Sequence, residues 1–115
     1  MIVDISKVKI FVKPGPTDMR KQINGLAVIT KEDLELDPYS GNLFMFCNKA
    51  KRLLKVLYWD RNGFCIWLKR LEKGKFPWPQ SEKEVKEISK QQLLMLLDGI
   101  DFWNAHEKLT YTEVA

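Results

Sequence analysis

The chain has 115 residues, 45% hydrophobic, 11% aromatic and 30% charged, with a formal net charge of +4. That length fits one domain able to bury about two-thirds of its unfolded surface without disulfide or metal staples, and the balance of apolar to charged residues excludes a disordered polyelectrolyte. Cys47 and Cys65 both lie in apolar runs, so a disulfide is not expected. An apolar run of about 18 residues and a secretory leader are both lacking, which sets the expectation of a cytoplasmic protein with no membrane span.

Residues 2–13 alternate loosely through Val8, Ile10 and Val12 and stop at Pro14-Gly15-Pro16, the pattern of a strand ended by a turn. Thr17 or Asp18 can then cap a helix with the buried stripe Met19, Ile23, Leu26, Ala27 and Thr30, leaving Arg20, Lys21 and Asn24 outside. Gly25 within it costs about 1 kcal/mol against Ala, so either something packs closely on its backbone or the helix is weak there. The acidic segment 31–38 allows one more helical turn, and Asp37-Pro38-Tyr39-Ser40-Gly41 is a turn cluster. Leu43 to Cys47 is continuously apolar, as a strand buried on both faces would be.

A polar, basic loop over 48–52 leads into the stretch around which the fold is organised, LLKVLYWDRNGFCIWLKRL at 53–71. It reads as a β-hairpin, with Asn62-Gly63 supplying the residues that tolerate positive φ at the centre of a tight turn and the register open by a residue. Phe64, Ile66 and Leu68 share one face of the second arm, expected to be buried, and Cys65, Trp67 and Lys69 the other. The first arm is apolar on both faces, so the pair is expected inside a sheet. Lys73-Gly74-Lys75 turns again, and Phe76-Pro77-Trp78-Pro79 cannot continue a central strand because proline lacks the ladder donor. Residues 80–87 read as a charged loop. Ser89 and Gln92 form a capping-box pattern for a helix from Lys90 with the stripe Leu93, Leu96, Leu97 and Ile100, stopped at Gly99 and followed by Phe102 and Trp103. The expected architecture is a single α+β domain over 1–104, with an antiparallel sheet of about four strands, a central hairpin and two main helices, in the order strand, helix, three strands, helix. Residues 105–115 form a tail with no sequence reason for order.

The runs GPTDMRKQINGLA (15–27), LDPYSGNLFMFCNKAKRLLKVLYWDRNGFCIWLKRLEKGKFPWP (36–79) and QQLLMLLDGID (91–101) closely resemble the TnpB-type accessory proteins of the insertion-sequence-sixty-six class of bacterial transposable elements, the product of the element's second reading frame. The joint occurrence of GPTDMRK, LYWDxNGF and GKFPWP is far more specific than any one of them. The resemblance implies a small accessory factor of transposition, encoded beside a larger transposase that carries the cleavage chemistry. The RNA-guided nuclease that shares the TnpB label is a different protein, much longer, with a nuclease domain and zinc-type cysteine pairs that this sequence lacks.

Charge is distributed unevenly. Residues 49–75 hold nine basic groups against Asp60 and Glu72, whereas 1–48 hold six of each sign and 80–115 four basic against seven acidic. The nine are Lys49, Lys51, Arg52, Lys55, Arg61, Lys69, Arg70, Lys73 and Lys75, a footprint suited to nucleic acid, with DNA at the element ends as the expected ligand. Trp59, Trp67, Phe76 and Trp78 are the aromatic candidates for stacking on bases or docking a partner. The bland reading makes the cations a solvated surface and the rings core. Such contacts position nucleic acid without reading its sequence.

No catalytic residue, metal ligand or cofactor is assigned. Asp18, Asp37 and Asp60 each have a simpler task at a helix start or a turn, His106 stands alone, and neither cysteine has a C-x-x-C partner. The alternative function is a protein adaptor that recruits or assembles the cognate transposase without touching DNA, through the last helix with Phe102 and Trp103 and the 76–79 turn. A second copy of the chain is a further candidate partner.

Overall fold

The computed structural model describes residues 3–80 and 84–103. Its elements are β1 (Ile10–Val12), α1 (Ile23–Glu32), β2 (Leu43–Cys47), β3 (Leu53–Asp60), β4 (Gly63–Arg70), β5 (Lys86–Ile88) and α2 (Lys90–Leu97). The strands form one five-stranded sheet in the order β4-β3-β2-β1-β5. This is the expected small α+β domain with a hairpin and two helices, and β2-β3-β4 is the antiparallel meander read from the sequence.

Alternation along each strand divides the core in two. Ile10, Val12, Leu43, Met45, Cys47, Leu54, Val56, Tyr58 and Ile88 face one layer, which Phe76, Trp78, Leu93, Leu96 and Phe102 complete. Phe44, Phe46 and Leu57 face the other, under Leu26 and Ile29 of α1. The five residues of β2 are all buried because both layers close on it, as its unbroken apolar run requires. Proline keeps 76–79 out of the sheet, and the segment folds beneath it: the Trp78 indole N–H donates to the carbonyls of Lys13 (2.9 Å) and Gly15 (3.2 Å). The Ser89–Gln92 capping box opens α2 with both reciprocal bonds, and Gly99, at φ +77°, closes the helix in the left-handed conformation that favours glycine.

Several expectations need correction. The sheet has five strands and is not wholly antiparallel, because β1 runs parallel to β2. A parallel pair needs a crossover, and α1 supplies it. Of the charged loop expected over 80–87, residues 81–83 lie outside the described residues and the end is strand, since Lys86–Ile88 pairs antiparallel with β1. Its local signal is weak; the pairing is set by β1, whose second edge would otherwise carry unpaired backbone groups. Of the strand expected over 2–13, the described residues keep Ile10–Val12 alone, preceded by a short 3-10 turn at Ile5–Lys7 that Asp4 caps.

The first helix begins at Ile23 instead of at Thr17 or Asp18, with Gln22 at its N-cap and no side-chain cap. Tertiary bonds capture the segment first. Lys13 N–H donates to Met45 O (3.0 Å) and Thr17 N–H to Cys47 O (2.8 Å), prolonging the β1-β2 pairing. Asp18 meanwhile folds back on Arg20, accepting from its backbone N–H at 2.9 Å and pairing with its guanidinium at 2.7 Å. Within α1, the stem of Lys21 covers Gly25, so that a Cβ there would lie 3.1 Å from the Lys21 Cβ.

The hairpin turn is centred one residue earlier than Asn62-Gly63: Asp60 pairs with Gly63, leaving Arg61-Asn62 as the loop. Arg61 therefore takes the positive φ, +50°. β3 sits inside the sheet but β4 is an edge, and its face Phe64, Ile66, Leu68 is only half covered, with Leu68 55% exposed. Ile100 is likewise exposed instead of completing the α2 stripe. Residues 105–115 and His106 lie outside the described residues.

Candidate nucleic-acid interface

Two loops at the open end of the hairpin carry most of the charge. In the first, the Asn48 side-chain oxygen accepts from the backbone N–H groups of Arg52 (3.0 Å) and Leu53 (3.1 Å). Its own carbonyl accepts from Lys51 N–H at 3.0 Å, and Lys51 sits at φ +62°. Asn48 thus folds 48–52 into a tight turn that displays Lys49 and Arg52. The second loop, 71–76, turns at Gly74 and is laced to the first: Leu71 N–H donates to Arg52 O (2.8 Å) and Phe76 N–H to Lys51 O (2.7 Å). The Arg52 guanidinium also donates to the Glu72 carbonyl.

This lacing brings Lys49, Lys51, Arg52, Arg70, Lys73 and Lys75 to one end of the sheet, with all of them exposed except the half-buried Lys51. Arg70 pairs with Glu72 at 3.0 Å; among the described residues the other five form no ion pair. Arg61 is not in this group. It lies across the full length of the hairpin, beside Asp60 at 3.7 Å.

Two of the nine predicted cations face inward. Lys55 is 6% exposed, and its ammonium donates to the carbonyls of Met19 (2.8 Å) and Lys21 (2.9 Å) and to the Gln22 side chain (3.4 Å). It pins the segment leading into α1. Lys69 is half-buried and donates to Leu97 O at 2.9 Å, where a cation meets the negative end of the α2 dipole. A lysine in an apolar strand and a lysine in a loop carry the same letter, so only the packing separates these two from the rest.

The aromatic candidates divide in the same way. Phe76 and Trp78 are buried, and Trp67 packs half-buried against the core layer that includes α2. Trp59 alone reaches a surface cluster, with ring centroids 5.1 Å from Tyr39 and 5.0 Å from Phe64. Tyr39, 60% exposed, was not among the sequence candidates; its only signal was its place in the 37–41 turn. The adaptor surface read from the sequence is also largely internal, since Phe102 is buried and the Trp103 indole donates to Pro77 O at 2.7 Å.

A shallow cleft of about 520 Å³ adjoins the basic end, between Pro16–Met19 and Asn48–Ala50. Within it the Thr17 hydroxyl is buried without a hydrogen-bond partner among the described residues. Asp18, at its rim, is held down to about 2 by the Arg20 hydrogen bonds. Asp18 lies at this end and Asp60 at the hairpin turn, and among the described residues no three His, Cys, Asp or Glu side chains converge on a possible metal position. Burial pushes the Cys47 thiol up to about 12.

The family model for IS66 Orf2-like proteins matches residues 8–107. The chain belongs to the IS66 Orf2-like family. Two uncharacterized proteins of Sinorhizobium fredii (strain NBRC 101917 / NGR234) are similar to this IS66 Orf2-like chain: y4hO is 40% identical over 114 residues, 99% of each chain, and y4jC 33% identical over 101 residues, covering 88% of this chain and 86% of its own. No solved structure matches it. Family membership gives the IS66 Orf2-like chain the context of an accessory protein of transposition. No helix among its described residues is long and apolar enough to cross a membrane.

Proposed function

We propose that this IS66 Orf2-like protein is a non-enzymatic accessory factor of DNA transposition that holds nucleic-acid backbone against the two laced loops, through Lys49, Lys51, Arg52, Arg70, Lys73 and Lys75. The observation that supports this reading is that five of these six form no ion pair among the described residues, although 12 of the chain's 15 acidic groups lie among those residues. Cations left unneutralised at one end of a domain are a polyanion footprint, and bound phosphates would release their counterions. The role is positional, because lysines and arginines that meet phosphate fix the register of a duplex without reading its sequence.

The test is a shift assay on the element's terminal repeats and on a scrambled duplex. Six phosphate contacts give a fall of about 10³-fold in affinity between 50 and 200 mM salt, equal for both sequences. The double variant Lys51→Glu/Arg52→Glu should lose binding at either salt. Absence of binding near physiological salt overturns the reading. A charge-reversed variant that still supports transposition would favour instead an adaptor that recruits the transposase without contacting DNA.

A further inference from the structure

The outer edge of β4 carries an unfilled ladder. Eight consecutive pairs, from Leu53↔Arg70 to Asp60↔Gly63, join β3 to β4 without a bulge or a proline. Antiparallel bonding alternates, so residues whose N–H and C=O do not face β3 face outward. Leu71 N–H donates to Arg52 O, which sets the odd-numbered residues of this arm toward β3. Phe64, Ile66, Leu68 and Arg70 therefore direct their backbone groups to the open side, where the described residues place no further strand. The opposite edge, β5, is only three residues long. Natural edges are usually kept short, charged or bulged, and β4 has only Lys69 and Arg70 at its far end.

We propose that an extended, acidic segment of a partner protein adds to β4 as a sixth strand. Backbone bonds to residues 64, 66 and 68 would supply affinity, and an apolar side chain of the segment would cover Leu68, 55% exposed on the same face as Phe64 and Ile66. Charge selects the occupant. Arg61 flanks one end of the edge, and Arg70, Lys73 and Lys75 the other. The existing pairs Arg61–Asp60 and Arg70–Glu72 are exposed, and exposed pairs exchange readily for a new carboxylate. A second copy of this chain fits less well: antiparallel pairing of two β4 strands about Ile66 sets Leu68 against Phe64 but brings Arg61 of each copy beside Arg70 of the other. Arg70, Lys73 and Lys75 are shared with the proposed nucleic-acid contacts, whereas the backbone edge at residues 64–68 and the 48–52 loop are separate from each other.

The test uses the full chain and two fluorescein-labelled octapeptides, one alternating valine with glutamate and one valine with lysine, followed by anisotropy and by amide hydrogen exchange. The acidic peptide is expected to bind at least tenfold more tightly than the basic one and to slow exchange at Phe64, Ile66 and Leu68. Leu68→Pro removes an outward N–H while leaving the β3 ladder intact, a place where edge strands accept proline, and should lower peptide affinity at least tenfold with nucleic-acid binding unchanged. If that variant does not fold, Leu68→Glu keeps the backbone donor, repels the acidic peptide and should show the same loss. Equal binding of the two peptides, no binding, or protection of other amides overturns the proposal. So does protection of residues 64, 66 and 68 before peptide is added: if it disappears on dilution the occupant is a second copy, and if it persists the chain covers its own edge. Absence of DNA binding by the unaltered chain near physiological salt, with peptide binding kept, would sink the nucleic-acid reading alone.

Discussion

Replacing Lys55 by Met keeps the aliphatic stem in the β3 wall and removes only the ammonium, which separates packing from charge. Three acceptors lose their donor: Met19 O at 2.8 Å, Lys21 O at 2.9 Å and the Gln22 side chain at 3.4 Å. Hydrogen bonds from a charged donor contribute roughly 1.5–3 kcal/mol each, and the two short ones dominate. Opposed to that, the variant no longer holds an ammonium out of water, a cost of several kcal/mol per ion. The carbonyls left behind keep the balance unfavourable, and the expected net loss is about 2–3 kcal/mol. For a domain of this size that lowers Tm by roughly 8–12 °C. Urea or thermal unfolding measures it, and amide exchange should rise first at residues 19–26. Nucleic-acid affinity and its salt dependence, measured where the variant is folded, should match wild type. A Lys55→Met protein as stable as wild type but weaker on DNA would refute the structural assignment and return Lys55 to the polyanion surface.

Three further outcomes follow from individual contacts. Arg61→Gly relieves a left-handed residue at φ +50° and should stabilise the hairpin by about 0.5–1 kcal/mol in urea unfolding; a loss of stability would mean the arginine side chain contributes more than its backbone costs. Trp78→Phe leaves the carbonyls of Lys13 and Gly15 without the indole donor and should cost about 1–2 kcal/mol, read as a shifted urea midpoint with unchanged slope. Cys47, raised from 9.0 to about 12, binds its proton more tightly folded than unfolded, so its contribution is complete below pH 9 and is lost as pH rises toward 12. Stability should fall there by up to about 1.4 kcal/mol per pH unit more than in Cys47→Ala, and parallel curves for the two proteins would contradict the burial argument.

The sequence by itself determined the elements whose cause is local. The apolar run of β2, the two arms of the hairpin, the Ser89–Gln92 box and the Gly99 stop depend on side chains within a few residues of each other, and each appears where the pattern puts it. The charge asymmetry of 49–75 was equally plain. Tertiary structure alone decided whatever depended on a partner distant in the chain. The start of α1 moved to Ile23 because β2 and Lys55 hold the preceding segment; β5 formed because β1 had a second edge to fill; and the turn shifted onto Arg61 when the β3-β4 register closed on Gly63. The same holds for the site. Lys55 and Lys69 are indistinguishable from Lys51 and Lys73 as letters, and only the carbonyls that fold against them make two structural and leave the others for solvent. A hydrogen-bond acceptor contributed from 28 or 36 residues away leaves no trace in local composition, which is why the sign of the patch was legible and its membership was not.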